Sequence, residues 1–170
     1  MTTGDGALQQ ALNLERNYGI VDEETVVSVG GNATMSEFQA AMGLCNLRRL
    51  DEEIEKRRRL TELYNALLQD GEGLTLPRPQ PGVQANYAYY PVLFGGRLTR
   101  DEACKRLKEN DIYARKYFYP LVSDFECYRG RFSSAATPVA KRISGQVATL
   151  PLYADLSEAD VRLICRLLLQ

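Results

Sequence analysis

The stretch TMSEFQAAMGLCNLRRLDEEIEKRRRLTELYNALLQ, residues 34–69, carries the strongest structural signal in the sequence. Acidic side chains precede basic ones by four positions, an order that stabilises the surface of an α-helix. Apolar side chains recur at helical spacing and form one stripe, made of Leu47, Leu50, Ile54, Leu60, Tyr64 and Leu67. Because glycine weakens a helix, Gly43 predicts a bend, with one helix ending near Leu47 and a second continuing to Gln69.

Two helix-start signals overlap at the beginning of this stretch. Thr34 precedes Glu37 by three positions and Ser36 precedes Gln39 by three, and either pair can form a reciprocal capping box. The turn GGNA at 30–33 comes immediately before them. Such a turn is either an ordinary loop and cap or a contact for a negatively charged group, and the residues alone favour the ordinary loop.

Shorter elements flank the long helix and predict an α/β fold. A short helix is expected over residues 6–17, and from residue 86 onward strands alternate with helices. We therefore predict a long helix leading into a small sheet with helices packed on one face. The tyrosines at 87, 89 and 90 are expected in the sheet and core. The predicted strands lie within 86–94, 112–120 and 146–153, and the helices start after Thr99, Thr137 and Ser157.

The composition limits the classes of function. The 170 residues carry a net charge of −1, which gives no electrostatic case for binding nucleic acid or a membrane surface. No apolar run approaches the ~20 residues that span a bilayer. The first residues lack a charged region followed by an apolar one, so we expect no secretory signal and a cytoplasmic location.

Histidine is missing from the sequence, which narrows the chemistry further. Its absence excludes Ser-His-Asp and Cys-His catalysis, and every histidine-ligated metal site, within this chain. The four cysteines contain no C-x-x-C pair, so we expect free thiols and no metal site. Cys45, Cys104 and Cys165 lie in helical patterns and are predicted to be buried.

Five blocks of sequence, in this order, resemble the DegT/StrS family of pyridoxal-phosphate-dependent aminotransferases, which act on nucleotide-linked keto sugars. The blocks are RNYGI, GGNATMSEFQAAMGL, NYAYYPVLF, IYARKYFYPL and LPLYADLSEADVRLI. The resemblance implies a fold-type-I aminotransferase. It also implies that residues 1–46 are the remnant edge of the large cofactor domain and that residues 47–170 are the C-terminal small domain.

The N-terminal segment TTGDGAL resembles the segment that follows the lysine forming the Schiff base in this family. The resemblance thus implies the C-terminal portion of such an enzyme, starting just after its catalytic lysine. We expect no catalytic residue in this chain, no bound pyridoxal phosphate and no activity for the chain alone. None of the five lysines matches the cofactor motif: Lys56, Lys105, Lys108, Lys116 and Lys141.

The resemblance also assigns Asn32, Arg115 and Tyr117. Asn32 matches the asparagine that reaches across a homodimer to the cofactor phosphate of the other subunit, although Thr34 stands where the family usually has arginine or lysine. Arg115 and Tyr117 match positions facing the substrate cleft. Arg115 is suited to binding the nucleotide diphosphate. The equally favoured alternative is that Arg115 is only an exposed residue of a strand. The amino donor implied for the intact enzyme is glutamate.

A second function of another class fits the same residues. A chain without the catalytic lysine is also consistent with a non-catalytic interaction domain that dimerises or pairs with a separate N-terminal half. The missing lysine is the only sequence feature that distinguishes the two alternatives, and it favours a fragment that is inert on its own.

Overall fold

The computed structural model describes residues 3–128 and 130–170, so Thr2 of the TTGDGAL segment lies outside the described part. The chain divides into two compact units, one up to Arg49 and one from Leu50 onward. We call them the N-terminal unit and the C-terminal unit. The assignment of residues 1–46 to the edge of a large cofactor domain stays a prediction.

The N-terminal unit begins with helix α1, Gly6–Arg16, in agreement with the predicted short helix. The Asp5 side chain caps it by accepting hydrogen bonds from the first amides of the helix. The chain then folds back on itself, and Asn17 pairs with Asn32 in an isolated antiparallel bridge. The RNYGI and GGNA motifs are thus the two sides of one turn.

Two glycines make this turn possible. Gly19 has a φ of +73°, and a Cβ there would lie 1.9 Å from the Ser28 carbonyl oxygen. A Cβ at Gly30 would lie 2.6 Å from the Gly19 amide nitrogen. Because real side chains cannot approach so closely, only glycine fits both positions, which explains their place beside Asn32.

Helix α2 is a single helix, Glu37–Leu68, so the predicted division into one helix ending near Leu47 and a second continuing to Gln69 is wrong. A Cβ at Gly43 would meet nothing within 4 Å, and the backbone ladder continues through the glycine without using its freedom. At the start of α2, Ser36 and Gln39 exchange the predicted capping bonds, at 2.9 and 3.3 Å. Of the predicted stripe, Leu47 and Leu50 are exposed, Ile54 and Leu67 are partly buried, and Leu60 and Tyr64 are buried.

The C-terminal unit contains a three-stranded antiparallel sheet in the order β1-β2-β3. The strands are β1 Leu74–Thr75, β2 Tyr90–Phe94 and β3 Val147–Leu150, with Tyr90 opposite Leu150. The strand predicted over 112–120 is wrong, because only Arg115 pairs with β3 before the backbone turns away.

Three further helices pack around this sheet. Helix α3, Arg100–Lys108, has the predicted Thr99 capping box. Helix α4, Pro138–Gln146, starts with proline in its first turn and lacks a side-chain cap from Thr137. Helix α5, Glu158–Leu169, is capped by Ser157 as predicted. Short 3₁₀ turns lie at Val122–Asp124, Glu126–Tyr128 and Ser134–Ala136.

The core lies between the sheet and helices α2, α3 and α5. Tyr64 stacks on Tyr90 with ring centroids 4.6 Å apart, and both side chains are fully buried. The Tyr64 hydroxyl donates to the Pro151 carbonyl at 3.0 Å and the Tyr90 hydroxyl to Asn65 at 2.7 Å. These bonds satisfy the polar ends of the two largest core rings.

The four cysteines differ in their exposure to solvent. All four cysteines are free thiols, as predicted. Cys165 is buried and Cys104 is half-buried, but Cys45 is exposed, because the first half of α2 contributes nothing to the core. Within the described ranges, every helix is too short or too polar to cross a bilayer.

Candidate functional site

Arg115 and Tyr117 lie on a segment that follows the outer edge of β3. The Arg115 amide donates to the Thr149 carbonyl at 3.1 Å, and the Thr149 amide donates back to the Arg115 carbonyl at 2.7 Å. A turn follows, in which the Tyr117 amide donates to the Arg115 carbonyl at 3.1 Å. This reciprocal pairing fixes the register of Arg115 on β3, and the turn brings the Tyr117 side chain back beside it.

The two side chains form one cluster with neighbouring aromatic rings. The Arg115 guanidinium donates a short hydrogen bond to the Tyr117 hydroxyl and lies 5.5 Å from the centroid of that ring. Tyr117 stacks on Phe118 at 4.9 Å and meets Tyr89 edge-on at 5.8 Å. The cluster therefore presents an exposed cation against a supported aromatic wall, which suits an anionic ligand with an attached ring.

A pocket of about 360 Å³ opens at this cluster. Its lining includes Arg115 and the two residues at the end of β3, Thr149 and Leu150. The volume is at the lower end of the range for small-molecule sites. The tyrosines that line it are Tyr89, Tyr113, Tyr117 and Tyr153.

A buried arginine contacts the segment that carries Arg115 and Tyr117. Arg100 is only 5% exposed, and its guanidinium lies 4.4 Å from the centroid of the Tyr119 ring. It donates to Asp101 at 2.9 Å and to the Ser144 carbonyl at 2.5 Å, while Lys116 pairs with the same Asp101 at 2.7 Å. Arg100 and then Lys116 hold the pKa of the Asp101 carboxyl at about 2. The segment carrying Arg115 and Tyr117 is thus tied to helices α3 and α4.

Asn32 lies in the N-terminal unit at the glycine turn. Its backbone pairs with Asn17, and its side-chain oxygen accepts a hydrogen bond from the Thr34 hydroxyl at 2.9 Å. That bond leaves the side-chain NH₂ group as the donor for a further acceptor. The side chain is exposed, its oxygen is engaged by Thr34, and its contact with a cofactor phosphate stays a prediction.

The lysines do not fit the remaining requirements of pyridoxal phosphate. Lys56 pairs with Glu52 at 2.8 Å, and Lys116 pairs with Asp101. Lys105 lies 3.9 Å from Glu109, and Lys108 and Lys141 are exposed on helices α3 and α4. All five lysines thus lie in the C-terminal unit, in ion pairs or on helix surfaces.

Several residues that line the pocket, and Arg100 beside the Tyr119 ring, escaped the sequence analysis. Tyr113 and Tyr153 lie in two of the five quoted blocks. Tyr113 is close in sequence to Arg115, and Tyr153 is close in sequence to the end of β3. This closeness is the signal that could have indicated both residues. Thr149 and Arg100 carried no signal, because their contacts join segments distant in sequence. Among the described residues, no group of three or more cysteine, aspartate or glutamate side chains is arranged to hold a metal ion.

Curated proteins match most of the length of this chain. The dTDP-4-amino-4,6-dideoxy-D-glucose transaminase of Escherichia coli is 41% identical over 158 residues, covering 91% of this chain and 43% of that protein. The Shigella dysenteriae protein of the same description is 32% identical, covering 88% of this chain and 41% of its own length. The chain spans less than half the length of these relatives.

A solved structure shows the same architecture. The aminotransferase TlmJ from Streptoalloteichus hindustanus matches with a TM-score of 0.85 at 27% identity, over 98% of this chain and 45% of that chain. This match confirms the predicted fold class. The sequence model of the DegT/DnrJ/EryC1/StrS aminotransferases matches residues 1–169. The resemblance in the five blocks is therefore confirmed, and the chain belongs to the DegT/DnrJ/EryC1/StrS aminotransferase family.

Proposed function

We propose that this chain is the C-terminal portion of a pyridoxal-phosphate-dependent aminotransferase and that its C-terminal unit binds a nucleotide-linked keto sugar. In the intact enzyme, an amino group would pass from glutamate to that sugar. The observation that carries the proposal is the meeting of Arg115 and Tyr117 at one pocket beside β3. Arg115 would bind the diphosphate, because a guanidinium matches the geometry of phosphate oxygens.

We propose one contact between this chain and the cofactor. Pyridoxal phosphate, when bound, supplies the electron sink for transamination. The Asn32 amide would donate to its phosphate in a homodimer, from one subunit to the other. The lysines present are ion-paired or lie on helix surfaces, so we propose that the chain alone neither attaches the cofactor nor catalyses transfer. Borohydride reduction with added pyridoxal phosphate should give no stoichiometric label at a single lysine.

Binding of dTDP to the purified chain tests the substrate role directly. We choose dTDP because two of the relatives act, by their descriptions, on dTDP-linked sugars. Arg115→Ala should weaken binding about tenfold or more, since a charge-assisted contact to phosphate is lost. Arg97→Ala removes an exposed arginine that lines a different pocket and is the matched control. Equal binding by both variants would contradict the proposal.

Self-association is the second proposed function and rests on a different observation. Phe38 and Met42 are 90% and 63% exposed, and together with Cys45 they recur at helical spacing on one face of α2. Large exposed apolar patches are typical of surfaces covered by a partner. We propose a two-fold homodimer through the start of α2. Sedimentation at increasing concentration tests it, and a chain that stays monomeric at high concentration would contradict it.

A further inference from the structure

The segment over residues 112–117 alternates between two environments. Ile112 and Ala114 pack against the core, and Lys116 is partly buried and pairs with Asp101. The odd-numbered residues line the pocket beside β3: Tyr113, Arg115 and Tyr117. Neighbouring side chains of an extended chain point to opposite sides, so the contacts of the even-numbered residues fix the direction of the odd-numbered ones. Lys116 is therefore the anchor between two residues of the pocket.

Two consecutive residues at the start of helix α3 hold this segment at two points. The Lys116 Nζ lies 2.7 Å from Oδ1 of Asp101, and the Arg100 Nε donates to the same oxygen at 2.9 Å. The Arg100 guanidinium also lies 4.4 Å from the centroid of the Tyr119 ring. The Tyr119 amide donates to the Lys116 carbonyl at 2.8 Å, which closes a turn between the two points. Tyr117 lies within that turn, so both of its flanks are fixed.

A fixed Tyr117 restricts the Arg115 side chain. The Arg115 guanidinium donates to the Tyr117 hydroxyl, and the Tyr117 amide donates to the Arg115 carbonyl. An exposed arginine has several rotatable bonds and loses that freedom when it binds a ligand. A partner hydroxyl that is already held in place restricts the guanidinium beforehand, so less freedom is lost on binding. The order of the Arg115 side chain thus depends on the contacts that hold Tyr117.

The charges favour a geometric role for Asp101 over an electrostatic one. Its carboxylate is 63% exposed and the Lys116 side chain is 38% exposed, and exposed ion pairs contribute little to stability. A carboxylate paired with the residue next to Arg115 also weakens the binding of an anion through its charge alone. Any gain in anion binding from Asp101 therefore comes from the geometry of the segment.

On the basis of the function proposed above, we propose that Asp101 and Lys116 are positioning residues for the binding of the substrate diphosphate. Their ion pair fastens the segment to helix α3 and keeps the Tyr117 hydroxyl where it accepts the hydrogen bond from Arg115. Arg100 holds the same carboxylate from within the helix. Asp101 and Lys116 both act through Arg115 and not by touching the diphosphate.

The experiment measures the dissociation constant of dTDP for the purified chain by isothermal titration calorimetry at pH 7. Asp101→Asn should raise this constant about three- to tenfold, because the Arg115 side chain must then be ordered on binding. Charge alone predicts the opposite sign, since removal of a carboxylate favours an anion. Glu109→Gln is the matched control: it removes a carboxylate at the end of α3 whose partner, Lys105, lies on that helix, and it should not raise the constant.

Variants of Lys116 test whether the two residues act as one pair. Lys116→Met should also weaken dTDP binding about three- to tenfold. Lys116→Arg keeps the cation and should bind dTDP like the wild type. The double variant Asp101→Asn with Lys116→Met should bind no more weakly than Lys116→Met, since the contact is lost only once. A double variant weakened by the product of the two single effects would contradict a shared contact and overturn the assignment.

The outcomes separate this assignment from the substrate role itself. Circular dichroism at the temperature of the titration checks that each variant is folded. Binding by Asp101→Asn that equals or exceeds that of the wild type, together with weaker binding by Arg115→Ala, would overturn the positioning role and keep the proposed function. Absence of dTDP binding to the wild type would overturn the proposed function and this assignment with it.

Discussion

The two units of the chain are stabilised in different ways. None of the described residues from 3 to 49 is a buried hydrophobic, and Val29 and Phe38 are 94% and 90% exposed. The N-terminal unit is instead held by backbone hydrogen bonds around the Asn17–Asn32 bridge and by close contacts at Gly19 and Gly30. In the C-terminal unit, by contrast, residues from three helices and all three strands pack into one core.

The unit that supplies most of the folding stability is therefore not the unit that carries Asn32. Burial of apolar area is the dominant source of stability, so the C-terminal unit supplies most of the free energy of folding. Backbone hydrogen bonds that stay near water contribute little net free energy. The N-terminal unit is therefore weakly stabilised, and most of its side chains are exposed. Asn32 lies on that surface, whereas the proposed substrate residues lie on the packed unit.

The largest expected effect is in the protection of backbone amides from hydrogen exchange. Amides of α5, Glu158–Leu169, should open only with the whole core, whereas those of α1, Gly6–Arg16, should open locally. We expect exchange in α1 to be about a thousandfold faster or more, given typical domain stabilities. The measurement requires conditions in which the chain is monomeric, and equal protection of the two helices there would contradict the comparison.

Truncation of a buried ring should have the next largest effect. Tyr64→Ala removes a fully buried side chain that stacks on Tyr90, and should lower the free energy of unfolding by about 3–5 kcal/mol. Phe38→Ala removes an aromatic side chain of similar size from the N-terminal unit and should change it by less than about 0.5 kcal/mol in the monomer. Urea denaturation measures both, and similar losses would show that the N-terminal unit has a core of its own.

How much the sequence could predict follows from the same contrast. The helices with local signals, such as the Thr99 capping box and the Ser157 cap, were predicted because their determinants are neighbours in sequence. The strand over 112–120 was predicted from β-branched and aromatic composition and is wrong, since pairing depends on the partner available to it. Arg115 and Tyr117 were indicated by the family resemblance, whereas Thr149 depends on sheet register, which composition does not specify.

Charging the exposed start of α2 should disrupt self-association. Phe38→Glu combined with Met42→Glu places two carboxylates where the proposed dimer buries apolar side chains, each worth about 1.5–3 kcal/mol. We expect the dissociation constant to rise about tenfold or more in sedimentation equilibrium, with the C-terminal unit still folded. Val83→Glu charges an exposed residue in a loop of the C-terminal unit and is the control. An equal rise of the dissociation constant in the double variant and in Val83→Glu would show that the dimer contact is not at the start of α2.

The buried guanidinium of Arg100 should contribute a smaller amount to stability. Arg100→Gln removes the stacking on Tyr119 and at least one of the bonds to Asp101 and Ser144, and should cost about 1–3 kcal/mol. Thermal denaturation against Arg97→Gln, an exposed arginine, measures the difference. Fluorescence of the tyrosines near the segment should also change in Arg100→Gln. A variant as stable as Arg97→Gln would show that the segment is held without Arg100.

The smallest expected effect is the dependence of stability on acid. The pKa of Asp101 is held at about 2, below its ordinary value of 3.8, first by Arg100 and then by Lys116. The unfolded chain therefore binds the proton first, so the stabilisation is complete above about pH 4 and is lost as the pH falls toward 2. Because the carboxylate is 63% exposed, solvent screening keeps the contribution below about 1 kcal/mol. Asp101→Asn should be less stable than the wild type at pH 6, and the difference should shrink toward pH 2. Lys116→Gln should reduce the same difference, since it removes one of the two partners. A stability gap between wild type and Asp101→Asn that stays constant from pH 6 to pH 2 would show that the ion pair does not hold the segment.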